Sequence, residues 1–539
     1  MNTLTTSGYR SVLNEDPVTF EVVKSALYAI CAEMKSVIMR TSFSPLLSLS
    51  ADLSCALLDA DCNVTAQGVD IPVHLGAARF TARAILRRFP IDTWSDGDAV
   101  MSNDPYEGGT HLPDMSLLTP IYHDGTHVGF VLSRIHWPDI GGIAAGSSSV
   151  CDEILKEGLR VPPVRVVERG VIRDDVLRLI LANVRVPSDR NGDFQAALSG
   201  HARATQRVSE LCKRYTSHTV KQVMADTLAY SQRLVEAKLR MLPDADVCNE
   251  EHLDGDGIST NTRPVIKVRI IKTGTSMRFD FTGSSACVAG PINAPLPVTS
   301  SAVYYTVLSF LGGEITPNSG VYSTIEIIAP DRSIVNAAYP APVVAANTET
   351  ANRLVDILMG ALAKAYPDIA AAGSYGSACV YTLGGFDPSH KRPFVHYETI
   401  GGGMGATSNG NGVSGLRVHM GNTMNLPIEG IEASIPVRFV SYEIARGTGG
   451  AGTHRGGDGV RKTLEVLGDD VQASVLGERT ESAALGVGTG QQGQLAHFRL
   501  ISDGNVTELG SKSGPHRLKR GDRLEMVTAG GGGWGKTKH

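Results

Sequence analysis

The stretch from Asn103 to Gly142 reads NDPYEGGTHLPDMSLLTPIYHDGTHVGFVLSRIHWPDIGG. Asp124-Gly125 separates two apolar runs, and that dipeptide predicts a β-hairpin with a tight turn. The flanks carry the chemistry. His111 and Asp114 stand on one short loop with Pro113 between them, and His136 and Asp139 repeat the order H-x-P-D 25 residues later. Pro113 fixes its own φ and biases Leu112 toward extended geometry. Two readings fit this pattern. Two imidazoles with carboxylates suit a divalent ion such as Zn, Mn or Fe(II) rather than Ca or Mg. Alternatively, the aspartates cap turns and the histidines are satisfied packing residues. Whether the two segments meet is a question the linear order leaves to the structure. His123 and His127 flank the hairpin tip and are weaker candidates, and His74, in IPVHLG, reads as either a core or a site residue.

Working outward, Asp16-Pro17 predicts a helix start, an N-cap carboxylate followed by proline at the first helical position. Phe20, Val23, Leu27, Ile30, Met34 and Val37 follow at alternating spacings of three and four, one face of a helix. A strand and turn are expected in SCALLDADCNV, a helix around residues 77–89, and one long helix over about residues 202–241 ending at Pro243. The polar run NEEHLDGDGISTNTRP places a domain boundary near Glu250. After it, Ile266, Val268 and Ile270 alternate toward Gly274, and Met277, Phe279 and Phe281 alternate back, a second hairpin. From Ser434 onward short strands and glycine turns predict a β-rich end. The expected fold is therefore mixed α/β (α+β) and multidomain. It comprises a leader at 1–15, a mixed domain at 16–250, a central α/β domain at 251–430 and a β-rich portion at 431–539.

With 539 residues, 42% hydrophobic and 19% charged, the chain reads as globular. A net charge of −5 offers no footprint for nucleic acid. Its eight cysteines form no C-x-x-C pair, which excludes a cysteine zinc site and suits a reducing cytoplasm. Residues 281–313 carry no charge, but prolines interrupt them and the apolar part is about half of the ~20 residues a membrane span needs. The N-terminus has neither the basic nor the apolar region of a signal peptide. A soluble cytoplasmic protein with no membrane segment is the expectation. The terminal GGGGWGKT, residues 530–537, satisfies the phosphate-loop pattern, but the sequence ends two residues later. The helix that must follow such a loop has no room. The expectation here is a glycine turn closing the last strand, with no nucleotide or other cofactor bound elsewhere in the chain. The second glycine run, YETIGGGMGATSNGNGVSG at 397–415, reads as tight turns or a ligand-facing loop.

Many ordered segments resemble the hydantoinase B/5-oxoprolinase family: SADLSCALLDADCNV, SNDPYEGGTHLPDMSLLTPIY, SRIHWPDIGG, GPINAP, PVVAANTETANRLVD, YETIGGGMGA and GGAGTHRGGDG. The resemblance runs from about residue 16 to 535. It implies the metal-bearing subunit of a two-component, ATP-dependent cyclic amide hydrolase. A hydantoinase A-like partner would bind ATP and phosphorylate the amide oxygen, in a heterotetramer or larger assembly. The substrate would be a hydantoin, N-methylhydantoin, 5-oxoproline or another lactam. The alternative within the same architecture is a biotin-independent ketone carboxylase of the acetone or acetophenone type. The resemblance implies a metal site of Asp52, His111, Asp114 and His136. Asp104, Asp139 and His74 are expected as orienting or catalytic neighbours. One departure is visible: the family commonly has two adjacent histidines where this chain has His136-Trp137.

Overall fold

A computed structural model describes residues 11–259, 262–313 and 315–536. The helix start is where the sequence places it: Asp16 Oδ1 accepts the Thr19 N–H at 3.0 Å and opens Pro17–Thr41. Its buried face runs Phe20, Val23, Leu27, Ile30, Met34 and then Ile38. The expected Val37 is only half-buried, because the stripe takes a step of four after Met34. This helix lies along Pro187–Tyr215. The single helix expected over 202–241 is two, Pro187–Tyr215 and Ser217–Arg240. Thr216 sits between them at φ 70°, a conformation that costs a β-branched residue energy and breaks the ladder. The helix expected at 77–89 begins earlier, at Pro72, and so carries His74 in its first turn.

Four sheets follow. The first orders its strands Val64–Gln67, Leu53–Asp59, Thr126–His136, Asp114–His123, Ala99–Ser102, Val164–Glu168 and Val171–Ile172. The expected hairpin is its centre, with Asp124 at φ 47° and Gly125 at φ 72°, the signature of a type I′ turn. The second hairpin is Val265–Thr273 with Ser276–Asp280, buried at Ile266, Val268, Ile270, Met277 and Phe279. Ala245–His252 joins it as an edge strand that crosses the boundary expected near Glu250. Residues 302–311 of the uncharged segment lie in the helix Leu296–Leu311, with Ala302, Val303, Thr306, Val307 and Phe310 buried and Ser309 exposed. No helix among the described residues is long and apolar enough to cross a membrane. The end of the chain is β-rich as expected, but its strands divide. Val471–Leu476 and Lys512–Leu518 pair into a sheet with Val380–Asp387 and Arg392–Thr399. Val437–Ala445, Gly459–Val466, His497–Ser502, Asn505–Leu509 and Arg523–Val527 form the other.

The glycine runs at 401–415 and 530–535 are neither separate turns nor a phosphate loop. They pack backbone to backbone with residues 449–457 and 486–493. Gly403 N–H donates to Ala529 C=O at 3.0 Å, Gly457 N–H to Met404 C=O at 2.8 Å, and Gly531 N–H to Gly457 C=O at 2.9 Å. A Cβ on Gly531 would stand 2.1 Å from the Met404 carbonyl oxygen, so the segments approach this closely only without side chains. Thr537, the last residue of the phosphate-loop pattern, lies outside the described residues.

Candidate metal centre

Strand register builds the site. Asp114 opens one hairpin strand directly opposite His136, which ends the other. On the far side Leu53 pairs with Ile135, and His136 N–H donates to Asp52 C=O at 3.1 Å. Three neighbouring strands thus bring Asp114, His136 and Asp52 to one edge of the sheet. The loop ahead of Asp114 is pinned by Asn103, whose Nδ2 donates to Leu112 C=O at 2.7 Å and whose Oδ1 accepts Val161 N–H at 2.7 Å. Pro113 C=O accepts Trp137 N–H at 2.8 Å and ties the two H-x-P-D segments together. The question the sequence leaves open is answered: they meet.

His111, Asp114 and His136 form a cluster whose ligand-type atoms lie within 4.8 Å of one another, all buried. His111 Nε2 is 3.0 Å and His136 Nδ1 3.2 Å from Asp114 Oδ1. The other oxygen, Oδ2, is already served. Thr110 Oγ1 donates to it, Asn347 Nδ2 lies at 3.3 Å and His74 Nε2 at 3.2 Å. The proton positions follow from these partners. Ser54 Oγ accepts Ile71 N–H at 3.2 Å and is 3.1 Å from His74 Nδ1. The Asp114 carboxylate only accepts, so His74 Nε2–H donates to it, and in the neutral ring Nδ1 accepts the Ser54 hydroxyl proton. His111 Nδ1 stands 3.2 Å from Val344 C=O, a group that only accepts. His111 is thus protonated at Nδ1, and in its neutral form aims a lone pair at a carboxylate oxygen. Two such lone pairs at 3.0 Å repel unless a cation lies between them, a proton or a metal ion. Two imidazole nitrogens and one carboxylate oxygen are a donor set that fits Zn, Mn or Fe(II). His136 Nε2 and Asn347 Oδ1 are buried without partners. An Asn347 amide turned the other way would present its oxygen to the same point.

Burial alone would raise the Asp114 carboxyl. Protonated His111 and His74 beside it, with hydrogen bonds from the protonated His111 and from His136, would hold it well below the usual carboxylate range. Asp52 goes the other way: burial lifts it to about 6, with Asp114 adding to the rise and His136 and Arg417 opposing it. Asp52 stands outside the 4.8 Å cluster but lines the same cavity. That cavity, of about 40 Å³, lies between Asp52, His74, His136, Asn347, Tyr397 and Arg417. The Tyr397 ring lies 4.4 Å from that of His136.

Two expected orienting residues act elsewhere. Asp139 accepts the Gly141, Arg185 and Val186 N–H groups and pairs with Arg185 at 3.1 Å. It fastens the start of the Pro187 helix and touches no histidine. Asp104 caps Tyr106 N–H at 3.0 Å and faces Arg160 at 3.5 Å. The backbone carbonyl of Val344 takes the orienting role at His111. His123 and His127 lie at the far end of the hairpin, His123 against Ser209 at 2.8 Å. Trp137 is fully buried in the apolar core of the first half and does not line the cavity. Sequence reasoning missed Asn347, Ser54 and Tyr397. Asn347 sits in a π-helical turn, Ala346–Thr350, just before the helix Ala351–Ala365. Such turns concentrate at functional sites, but they have no sequence signature to search for.

Glu157 governs the Val344 carbonyl. Its Oε1 accepts Val343 N–H at 2.6 Å and Val344 N–H at 2.9 Å, and burial lifts its carboxyl to about 8. Glu157→Leu is expected to release that peptide and weaken metal affinity about 10- to 100-fold, the range for a partner that orients a liganding histidine. Competition of the purified variant with a chelator measures it.

The pattern of the family described as hydantoinase B/oxoprolinase matches residues 16–537. A 5-oxoprolinase of Dictyostelium discoideum is 31% identical over 97% of this chain, which spans 40% of that protein's length. The B component of a putative D-/L-hydantoinase from a Pseudomonas species is 29% identical over 96% of this chain and 90% of its own. Among solved structures, an ATP-dependent caprolactamase from Pseudomonas jessenii superposes with a TM-score of 0.89 at 28% identity, over 97% of this chain and 91% of that one. An acetone carboxylase gives 0.88 at 17% identity, over 97% and 76%, a likeness of fold.

Proposed function

The chain belongs to the hydantoinase B/oxoprolinase family, and from that premise we propose that it is the metal-bearing subunit of an ATP-dependent cyclic amide hydrolase. The observation that carries this reading is the convergence of His111 Nε2 and His136 Nδ1 on one buried Asp114 oxygen at the wall of a small cavity. A divalent ion there, held by His111, Asp114 and His136, supplies charge for a carbonyl and a nucleophilic oxygen near neutral pH. Asp52, at the same sheet edge, would be the fourth ligand, binding as its carboxylate. Zn, Mn and Fe(II) are the candidates.

A lactam or ureide carbonyl is a poor electrophile, and an ATP-derived phosphate ester on its oxygen turns that oxygen into a leaving group. The phosphorylation falls to a hydantoinase A-like partner in the cytoplasm. In this chain, His74 and Asn347 hold Asp114 in place, and Tyr397 packs against the His136 ring. Arg417 supplies positive charge to the cavity wall, braced by Thr399 and Asn425 at 2.6 Å each. The caprolactamase likeness supports amide hydrolysis over ketone carboxylation, because the carboxylase likeness extends to fold alone.

Co-expression with the ATP-binding subunit tests this. The expected result is ATP hydrolysis coupled to ring opening of a cyclic amide, independent of bicarbonate. ATP turnover that needs both bicarbonate and a ketone overturns the reading.

A further inference from the structure

Beside the metal cavity lies a second, larger space of about 810 Å³. The two share a wall built from Arg417, Val418 and Gly421. The metal cavity alone is small, so the neighbouring volume calls for an account.

Its surface is mostly aromatic and aliphatic. Tyr28, Tyr304, Tyr305, Phe310 and Tyr322 line it, and Tyr304 and Tyr322 stack with ring centroids 3.9 Å apart. The charged groups among its described lining residues are Asp70, Arg417 and His419, and each is engaged. Asp70 pairs with Lys35 at 2.6 Å. Arg417 donates through Nε to Thr399 Oγ1, through one terminal nitrogen to Asn425 at 2.6 Å, and through the other to Thr399 C=O. His419 Nε2 meets Asp356 Oδ1 at 2.9 Å. An uncharged apolar group meets rings and aliphatic carbon, the usual lining of a small-molecule pocket.

We propose that the two spaces form one substrate site, with the amide of the ring at the His111–Asp114–His136 cluster and an uncharged apolar arm in the aromatic space. The preferred substrate class is a cyclic amide that carries an aromatic or long apolar substituent. This rests on the hydrolase reading and narrows it: a substituted hydantoin or lactam is favoured, and 5-oxoproline is disfavoured.

The test compares 5-benzylhydantoin, unsubstituted hydantoin and 5-oxoproline on the complex of this chain with its ATP-binding partner. The benzyl arm is expected to raise kcat/KM at least about tenfold over the unsubstituted ring, the scale on which apolar pockets discriminate. Ser309, on the helix Leu296–Leu311, is exposed and lines the aromatic space. Ser309→Trp is expected to fill that space and bring the ratio back toward one. Calorimetric titration of 5-benzylhydantoin into the chain without ATP gives a reading apart from turnover. Equal rates on the two hydantoins, or a preference for 5-oxoproline, overturn the inference while the hydrolase reading stands. Binding that Ser309→Trp weakens, without turnover of any cyclic amide, keeps the inference and sinks the hydrolase reading. Neither binding nor turnover of the benzyl compound overturns the inference as well.

Discussion

Asp114→Ala is expected to lower turnover of the assembled enzyme by roughly three orders of magnitude, since a liganded cation contributes several kcal/mol of charge stabilisation and each tenfold in rate is about 1.4 kcal/mol. Asp114 has no spare function to fall back on. One oxygen faces both histidines, and the other collects Thr110, Asn347 and His74. Its loss removes the anion that draws a cation into a buried pocket and leaves three imidazoles facing one another. Asp114→Asn is expected to do nearly as much damage. The amide keeps the shape and can still accept from Thr110, but it brings no charge. Steady-state kinetics of the two variants against cyclic amide, beside their metal content, check this. Turnover within about tenfold of the parent in either variant would mean that the chemistry lies elsewhere.

Arg353→Ala is expected to destabilise the chain by about 3–5 kcal/mol, the usual cost of removing one member of a buried ionic group. Arg353 is fully buried in the helix Ala351–Ala365. It donates to Glu478 at 3.0 Å, Ser482 at 2.9 Å, Glu251 at 2.9 Å and the His252 carbonyl at 2.8 Å. Glu478 also receives Lys512. The neighbouring pair of Arg479 with Asp356 at 2.6 Å runs beside it. Strand, helix and C-terminal loop are stitched by these charges, and deleting the guanidinium leaves Glu478 with Lys512 alone and Glu251 with Arg479 at 3.5 Å. Arg353→Met restores much of the volume but leaves both carboxylates one cation short, so it is expected to recover only part of the loss. Urea unfolding followed by circular dichroism measures both. A midpoint unchanged in Arg353→Ala contradicts the account of the junction.

The hairpin and three of the site residues were legible because short-range chemistry decides them. Asp124-Gly125 permits the left-handed turn, and the turn sets the register that puts Asp114 opposite His136. Asp52 came from the family resemblance, and the strand pairing of Leu53 with Ile135 explains why it lies at the same edge. What stayed illegible is what depends on distant backbone. Asn347 is 233 residues from Asp114, and its π-helical turn follows from packing rather than composition. Asp104 and Asp139 were misread because nearness in sequence stood in for nearness in space. Asp104 serves the local Tyr106 N–H, the common use of an aspartate beside a turn, and Asp139 joins the local Gly141 N–H to the distant Arg185 and Val186 N–H groups. The break at Thr216 was hidden because the apolar period runs through it. The glycine segments, read singly as turns, make sense only when packed against each other.

The most direct measurement is the metal content of the purified chain by elemental mass spectrometry, for the parent and for a variant with His111→Ala and His136→Ala together. The account expects about one Zn, Mn or Fe ion per parent chain, as a closed set of nitrogen and oxygen donors requires, and close to none in the folded double variant. Full occupancy in the double variant would contradict it.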